Sequence, residues 1–373
     1  MNNVLFQRIL LFAGIFVPLH TSPPVLSDPG FAAALGAHWL SWIRLGYHAG
    51  FALSALCILL ARQRHAAIFV GRWRVVAAVA CAAAVATAYP SVASQLAGRL
   101  VEGACGAVLL AAFYRGLKTA GHYDQLPVIF GISAILLESG ALLSGLTVYQ
   151  EGWHAALWLA VLLTLGALLP AIAGGELTAA PATTEVAKVD LSGSVAYMVA
   201  AVLAYAGFFL MLLALGALRA QPDGPIVSGL AIFSTAFAFS VGNLLPLERL
   251  GTFRTARLLV GAGLGLSLAG SLSLWSAIRE QAAVAIVCST ALVAFGNGLT
   301  ISRCFQRATL LSPDGFSGAL LTIACVMFVT ISLSVTEGVL TGAFQGGQVV
   351  AFGLAFVVVA LFGGFDAVGV AGL

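Results

Sequence analysis

Arg99 and Glu102 are the residues from which chemistry is most readily built in this chain. They stand three positions apart, so on a helix they share a face and can pair. The run around them, from Leu96 to Leu117, is otherwise mostly apolar. A charge near the centre of a bilayer costs about 2.5–3.5 kcal/mol on insertion scales, so both side chains are expected to face a bundle interior or a wet cavity. The plainer alternative is an ion pair that merely tolerates its own burial. Gly98, Gly103 and Gly106 crowd the same turns and leave that face open. Glu138 lies in the middle of the next apolar stretch with no partner near it in sequence. A lone carboxylate there can exchange a proton, or it can act as a neutral acid bonded to a neighbouring helix. His20 and His48 add side chains that titrate near physiological pH, with hydrogen-bonded packing as the alternative role.

Soluble-enzyme chemistry finds no support. The chain has no Walker-type glycine-lysine loop, no HExxH, no nucleophile elbow and no zinc spacing. No enzymatic activity, metal site or cofactor is therefore expected. Cys57, Cys81, Cys105, Cys288, Cys304 and Cys325 form no CxxC and read as small packing residues. One reading from another class remains, a membrane haem or redox protein using His20, His38 and His48, although no close histidine pair falls on one helix.

The elements that must position these groups follow from composition. Of 373 residues, 61% are hydrophobic and 8% charged, and the mean hydropathy is +1.04. Too little polar surface exists to cover a water-soluble globule, and a spanning helix needs roughly 20 apolar residues. Twelve spans are predicted, at about 4–22, 40–61, 69–90, 94–117, 126–148, 153–173, 192–218, 226–247, 255–277, 281–302, 316–341 and 346–370. Unbroken apolar runs such as 155–163 exclude a lipid-facing barrel, which needs strict alternation. The fold class is all-α and polytopic. With the N-terminus in the cytoplasm, only Arg44, Arg99, Arg219 and Arg279 of the 17 Lys+Arg fall on the outer half. Both termini are thus expected inside. No cleavable signal peptide is evident, and the first apolar segment is read as a span. The formal charge of +3 sits in the inner loops and suits anionic headgroups, not nucleic acid.

The stretch Gly174–Leu191 is neither apolar nor tightly turned. It divides the chain into an N-terminal six-helix bundle (1–174), a cytoplasmic linker (175–191) and a C-terminal six-helix bundle (192–373). Parallel halves joined this way are the layout of transporters that rock about a midplane site. The loop after the second span carries Arg72 and Arg74, and that after the eighth carries Glu248 and Arg249.

Arg99-Leu-Val-Glu102-Gly103-Ala-Cys-Gly106 resembles the fourth-helix motif of the major facilitator superfamily, an Arg followed three residues on by Gln or Glu and then Gly. Gly131 and Gly140 are similar to the fifth-helix glycine pattern of its antiporter branch, although the closing Gly-Pro is missing. Gly152-Trp153, Gly296, Gly298 and Gly318 agree in register, and Gly71-Arg72-Trp73-Arg74 and Glu248-Arg249-Leu250-Gly251 look like reduced copies of the family's loop motif. Where many drug/proton antiporters of the family have an acidic residue nine places before a proline, this chain has His20, nine before Pro29.

The resemblance implies a single-chain secondary transporter that works in the cytoplasmic (inner) membrane as a monomer. It would exchange protons for a small lipophilic or weakly basic compound and export it. Arg99, Glu102, Glu138 and His20 would carry proton coupling, and Gly103, Gly106, Gly131 and Gly140, with Arg72, Arg74, Glu248 and Arg249, the conformational change. The rival within the same fold is a proton symporter or uniporter importing a small metabolite.

Overall fold

The computed structural model describes residues 3–60, 70–174, 224–245, 253–312 and 316–343, together with a few positions between 197 and 211. Lipid offers the backbone no hydrogen-bond partner, so a spanning segment has to satisfy its own N–H and C=O groups. The described residues do so as helices, with no strand among them. In chain order these are α1 (Asn3–Leu26), α2 (Pro29–Leu35), α3 (Ala37–Leu60), α4 (Trp73–Thr87), α5 (Val92–Ala120), α6 (Leu126–Glu151), α7 (Trp153–Gly174), α8 (Gly224–Leu244), α9 (Phe253–Arg279), α10 (Ala283–Leu311) and α11 (Ser317–Ala343). A 3₁₀ turn at Tyr123–Gln125 joins α5 to α6.

Among the described residues, seven helical stretches are long and apolar enough to cross a membrane: Asn3–Leu26, His38–Leu60, Val92–Ala120, Tyr123–Glu151, Trp153–Gly174, Leu259–Arg279 and Ala283–Leu310. Shorter apolar helices cover Trp73–Thr87, Leu230–Leu244 and Ser317–Ile331. Large apolar side chains such as Leu53, Leu142, Leu162, Phe233 and Val284 are exposed, which suits hydrocarbon as the surrounding solvent. The described elements are all helical, and the chain is a multi-pass membrane protein. The predicted linker (175–191), most of the seventh predicted span and the whole of the twelfth lie outside the described residues.

The first predicted span needs correction. Pro23-Pro24 reads in sequence as a terminator, yet α1 continues through Pro18, Pro23 and Pro24 to Leu26. Each proline removes a donor and frees the carbonyl four residues earlier, here those of Gly14, Leu19 and His20. A hydroxyl on the same helix offsets part of the loss: Ser22 Oγ donates to Leu19 O at 3.4 Å. Side-chain donors of this kind are what make proline tolerable inside a membrane helix. The true stop comes at Ser27-Asp28, where the Asp28 carboxylate accepts the Phe31 N–H at 2.9 Å and starts the short helix α2.

The chain divides into two compact units. The first comprises Met1–Gln125, Ile135–Val189 and Pro313–Ile331, and within it α3 and α4 pack on α5, and α1 on α7. The second comprises Leu126–Ala134, Asp190–Ser312 and Ser332–Leu373, and within it α8 and α9 pack on α10. Helices α6 and α11 contribute a portion to each.

Candidate functional site

α5 fixes the position of Arg99 and Glu102. It begins where Ser91 Oγ accepts the Ser94 N–H at 3.1 Å. It ends at Gly121, whose φ of 70° closes the helix while His122 N–H returns to Leu117 O. Both charged residues lie in the N-terminal half of α5 and are only 4% exposed. Arg99 Nη1 donates to Glu102 Oε2 at 3.3 Å and to the Pro18 carbonyl of α1 at 2.9 Å. The expected pair therefore exists, and it also grips a neighbouring helix.

That close approach depends on glycines. A Cβ on Gly103 would overlap the Tyr47 carbonyl and meet the Phe51 amide nitrogen at 2.9 Å. A Cβ on Gly50 would overlap the Leu100 carbonyl, and one on Gly46 would meet Arg99 Cβ at 3.1 Å. Gly46 and Gly50 form a small-xxx-small pair on α3, the pattern that lets membrane helices touch backbone to backbone. Sequence reading passed over them, although their spacing of four was visible. Gly106 is tight as well, since a Cβ there would reach Tyr47 Oη at 2.8 Å. The Tyr47 hydroxyl donates to the Ile15 carbonyl, a second tie into α1.

Glu138 of α6 is not solitary. His20 of α1 approaches it, Nδ1 to Oε1, at 3.2 Å, with the two side chains 28% and 26% exposed. One residue further along α1, the Thr21 carbonyl accepts from Ser144 Oγ of α6 at 2.8 Å. The stretch Pro18–Thr21 of α1 is thus held by α5 on one side and by α6 on the other. Two acid–base pairs, Arg99–Glu102 and His20–Glu138, meet on a single helical turn.

The predicted glycines of α6 differ in tightness. Gly131 lies against α8, where Ser240 Oγ donates to its carbonyl at 2.8 Å and a Cβ would meet Leu244 Cγ at 3.0 Å. At Gly140 the nearest atoms would be 3.6 Å from a Cβ, an ordinary contact.

Two arginines read in sequence as inner-loop charges prove to be buried. Arg8 is 6% exposed and donates to His122 Nδ1 and Gln125 Oε1, both at 2.8 Å, which ties the start of α1 to the turn between α5 and α6. Arg303 is 2% exposed, inside α10. Its guanidinium donates to the carbonyls of Leu299 at 3.1 Å and of Gly242, Gly298 and Leu245 at 3.4 Å. It therefore sits at the C-terminal end of α8, where a helix dipole favours a cation. The predicted span stopped at 302. The absence of any breaker before Ser312-Pro313 was the available sign that the helix continues.

No family model matches the chain. Nor does any curated protein match it in sequence. Solved structures do. The crystal structure of the human organic anion transporter MFSD10 (TETRAN) aligns over 96% of this chain and 97% of its own, with a TM-score of 0.65 and 15% sequence identity. The fold is that of a major facilitator superfamily transporter.

Within this major facilitator fold the remaining predicted residues fall as follows. Arg72 and Arg74 are exposed at the start of α4, with the Arg74 guanidinium 5.6 Å from the centre of the buried Trp73 ring. Glu248 and Arg249 lie outside the described residues. The histidines of the redox alternative are engaged separately. His20 faces Glu138, His38 lies beside Trp39 with ring centres 5.1 Å apart, and His48 Nδ1 lies 3.3 Å from the Arg44 carbonyl. Among the described residues no three of His, Cys, Asp and Glu converge as metal ligands.

Proposed function

We propose that this protein is a proton-coupled secondary transporter working by alternating access between two six-helix lobes, 1–174 and 192–373, joined by a cytoplasmic linker at 175–191. In this reading twelve spans place both termini in the cytoplasm, and the protein acts as a monomer in the inner membrane. It exports a small lipophilic or weakly basic compound in exchange for protons. One observation carries the reading: two carboxylates on consecutive membrane helices, each beside a basic side chain, are both tied to the same turn of α1. Protonating Glu102 loosens its hold on Arg99, and Arg99 grips the Pro18 carbonyl. Protonating Glu138 changes its hold on His20, two residues further along α1. The proton load on α5 and α6 is thereby read as the position of α1. Gly103, Gly106 and Gly131 allow the backbone contacts that such movement needs, and Gly140 leaves room beside α6. Arg72, Arg74, Glu248 and Arg249 would act at the loops.

The test is proton movement in proteoliposomes containing a pH-sensitive dye, screened with lipophilic weak bases. Organic anions are included because the human structural neighbour is an organic anion transporter. A substrate should drive protons in the opposite direction to its own flux. Glu102→Gln and Glu138→Gln should each lower that coupled flux at least tenfold, while substrate exchange down its own gradient persists. Full coupled flux in both variants would end this reading. Protons moving with the substrate would instead favour the importing symporter.

A further inference from the structure

The first unit holds a small, partly open cavity of about 10 Å³. Its wall includes Gly14 and Pro18 of α1, Glu102 and Gly106 of α5, and Thr164 and Leu168 of α7. That volume is about what a single water molecule requires, and a water stays in a protein interior only where two to four polar groups receive it. Three are present. Glu102 is buried and brings a carboxylate. Thr164 is buried as well and brings a hydroxyl that now donates to Ala160 O at 2.9 Å. Gly14 brings a carbonyl whose helical donor is missing, because the residue four places on is Pro18.

We propose that this cavity is a binding site for one internal water molecule, and that this water is the last carrier of the proton to Glu102. The inference rests on the reading of Glu102 as a proton acceptor given above. The water donates one hydrogen to the Glu102 carboxylate and the other to Gly14 O. Its oxygen keeps a lone pair for the Thr164 hydroxyl, which reaches it by rotating away from Ala160 O. When a proton arrives from bulk water it binds the oxygen's second lone pair. The water then passes the hydrogen it already shares with Glu102 to the carboxylate oxygen and is left neutral, so one proton enters and one is delivered. Pro18 has two consequences in this arrangement. Its own carbonyl holds Arg99, and its missing N–H leaves the Gly14 carbonyl ready for the water.

Infrared difference spectra of the full-length protein in lipid, recorded across a pH step in H₂¹⁶O and in H₂¹⁸O, test the site directly. The wild type should give an O–H stretching band that shifts with the oxygen isotope. Thr164→Val should abolish it and Thr164→Ser should retain it. Coupled flux should fall about tenfold in Thr164→Val and stay near wild type in Thr164→Ser, with binding of the substrate unchanged. Absence of an isotope-sensitive band in the wild type would overturn the inference, even if Thr164→Val failed to fold. So would a band, or a coupled flux, that Thr164→Val leaves intact. Glu102→Gln separates the two levels. Lost coupling in Glu102→Gln together with no isotope-sensitive band in the wild type refutes the water alone, whereas full coupling in Glu102→Gln refutes the underlying reading.

Discussion

Replacing Arg99 by Met should destabilise the protein far more than replacing both members of its ion pair. Arg99 and Glu102 have side chains 5% and 3% exposed and a separation of 3.3 Å. Met fills most of the volume of Arg but leaves the Glu102 carboxylate in the interior without its cation. Removing one partner of a buried pair costs about 3–5 kcal/mol, because the other charge is left uncompensated. The lost bond to Pro18 O adds about 0.5–1.5 kcal/mol. The converse change, Glu102→Gln, leaves the guanidinium as the uncompensated charge and should cost about 3 kcal/mol, the lower edge of that range, since the amide oxygen still accepts from Arg99 and Pro18 O still receives the guanidinium. In Arg99→Met/Glu102→Gln no buried charge remains, and a well-packed neutral replacement of a buried pair is often nearly neutral. The double variant should lie within about 2 kcal/mol of wild type, giving a coupling energy of at least about 2 kcal/mol in a double-mutant cycle. Equilibrium unfolding in detergent micelles, followed by tryptophan fluorescence, reads this directly. A loss of 3–5 kcal/mol changes the folded-to-unfolded ratio by two to nearly four powers of ten. Coupled transport should remain absent in the stable double variant, which separates the pair's function from its contribution to folding. Wild-type stability in Arg99→Met, or a double variant as damaged as the two singles combined, would refute the reasoning.

Two further outcomes test the helix contacts. Gly103→Ala forces a Cβ into the Tyr47 carbonyl and should cost about 1–3 kcal/mol, whereas Gly145→Ala, whose nearest atom would be Pro24 Cγ at 3.9 Å, should change stability by no more than about 0.5 kcal/mol; the same unfolding assay compares them. Ser240→Ala removes the bond from α8 to the Gly131 carbonyl of α6 and should lower stability by about 0.6 kcal/mol, in line with interhelical hydrogen bonds in membranes; a loss above about 2 kcal/mol would mean that Ser240 holds more than this bond.

What was legible in the sequence was whatever depends on the solvent and on neighbours along one helix. Lipid forces helices, so the helical class and most span positions follow from apolar run length alone. The Arg99–Glu102 pair is also local, three residues on one face. What stayed hidden depends on how one helix is rotated against another. The partner of Glu138 is His20, and no spacing rule relates residues so far apart on separate helices. The buried positions of Arg8 and Arg303 were hidden for a related reason. A basic residue near a span end scores as an inner-loop charge, yet each of these turns its guanidinium onto groups that only the folded chain supplies. The prolines of α1 show the same limit from the other direction. As local signals Pro23-Pro24 end a helix, but in the folded chain the α1 carbonyls at Ile15, Pro18, Leu19 and Thr21 accept bonds from Tyr47, Arg99, Ser22 and Ser144. Three of those four donors come from other helices. Helix α1 thus combines three internal prolines with backbone carbonyls that side chains of α3, α5 and α6 bond. Contacts to one turn of α1 link the carboxylates of α5 and α6, which explains why neither α5 nor α6, read alone, discloses what its carboxylate does.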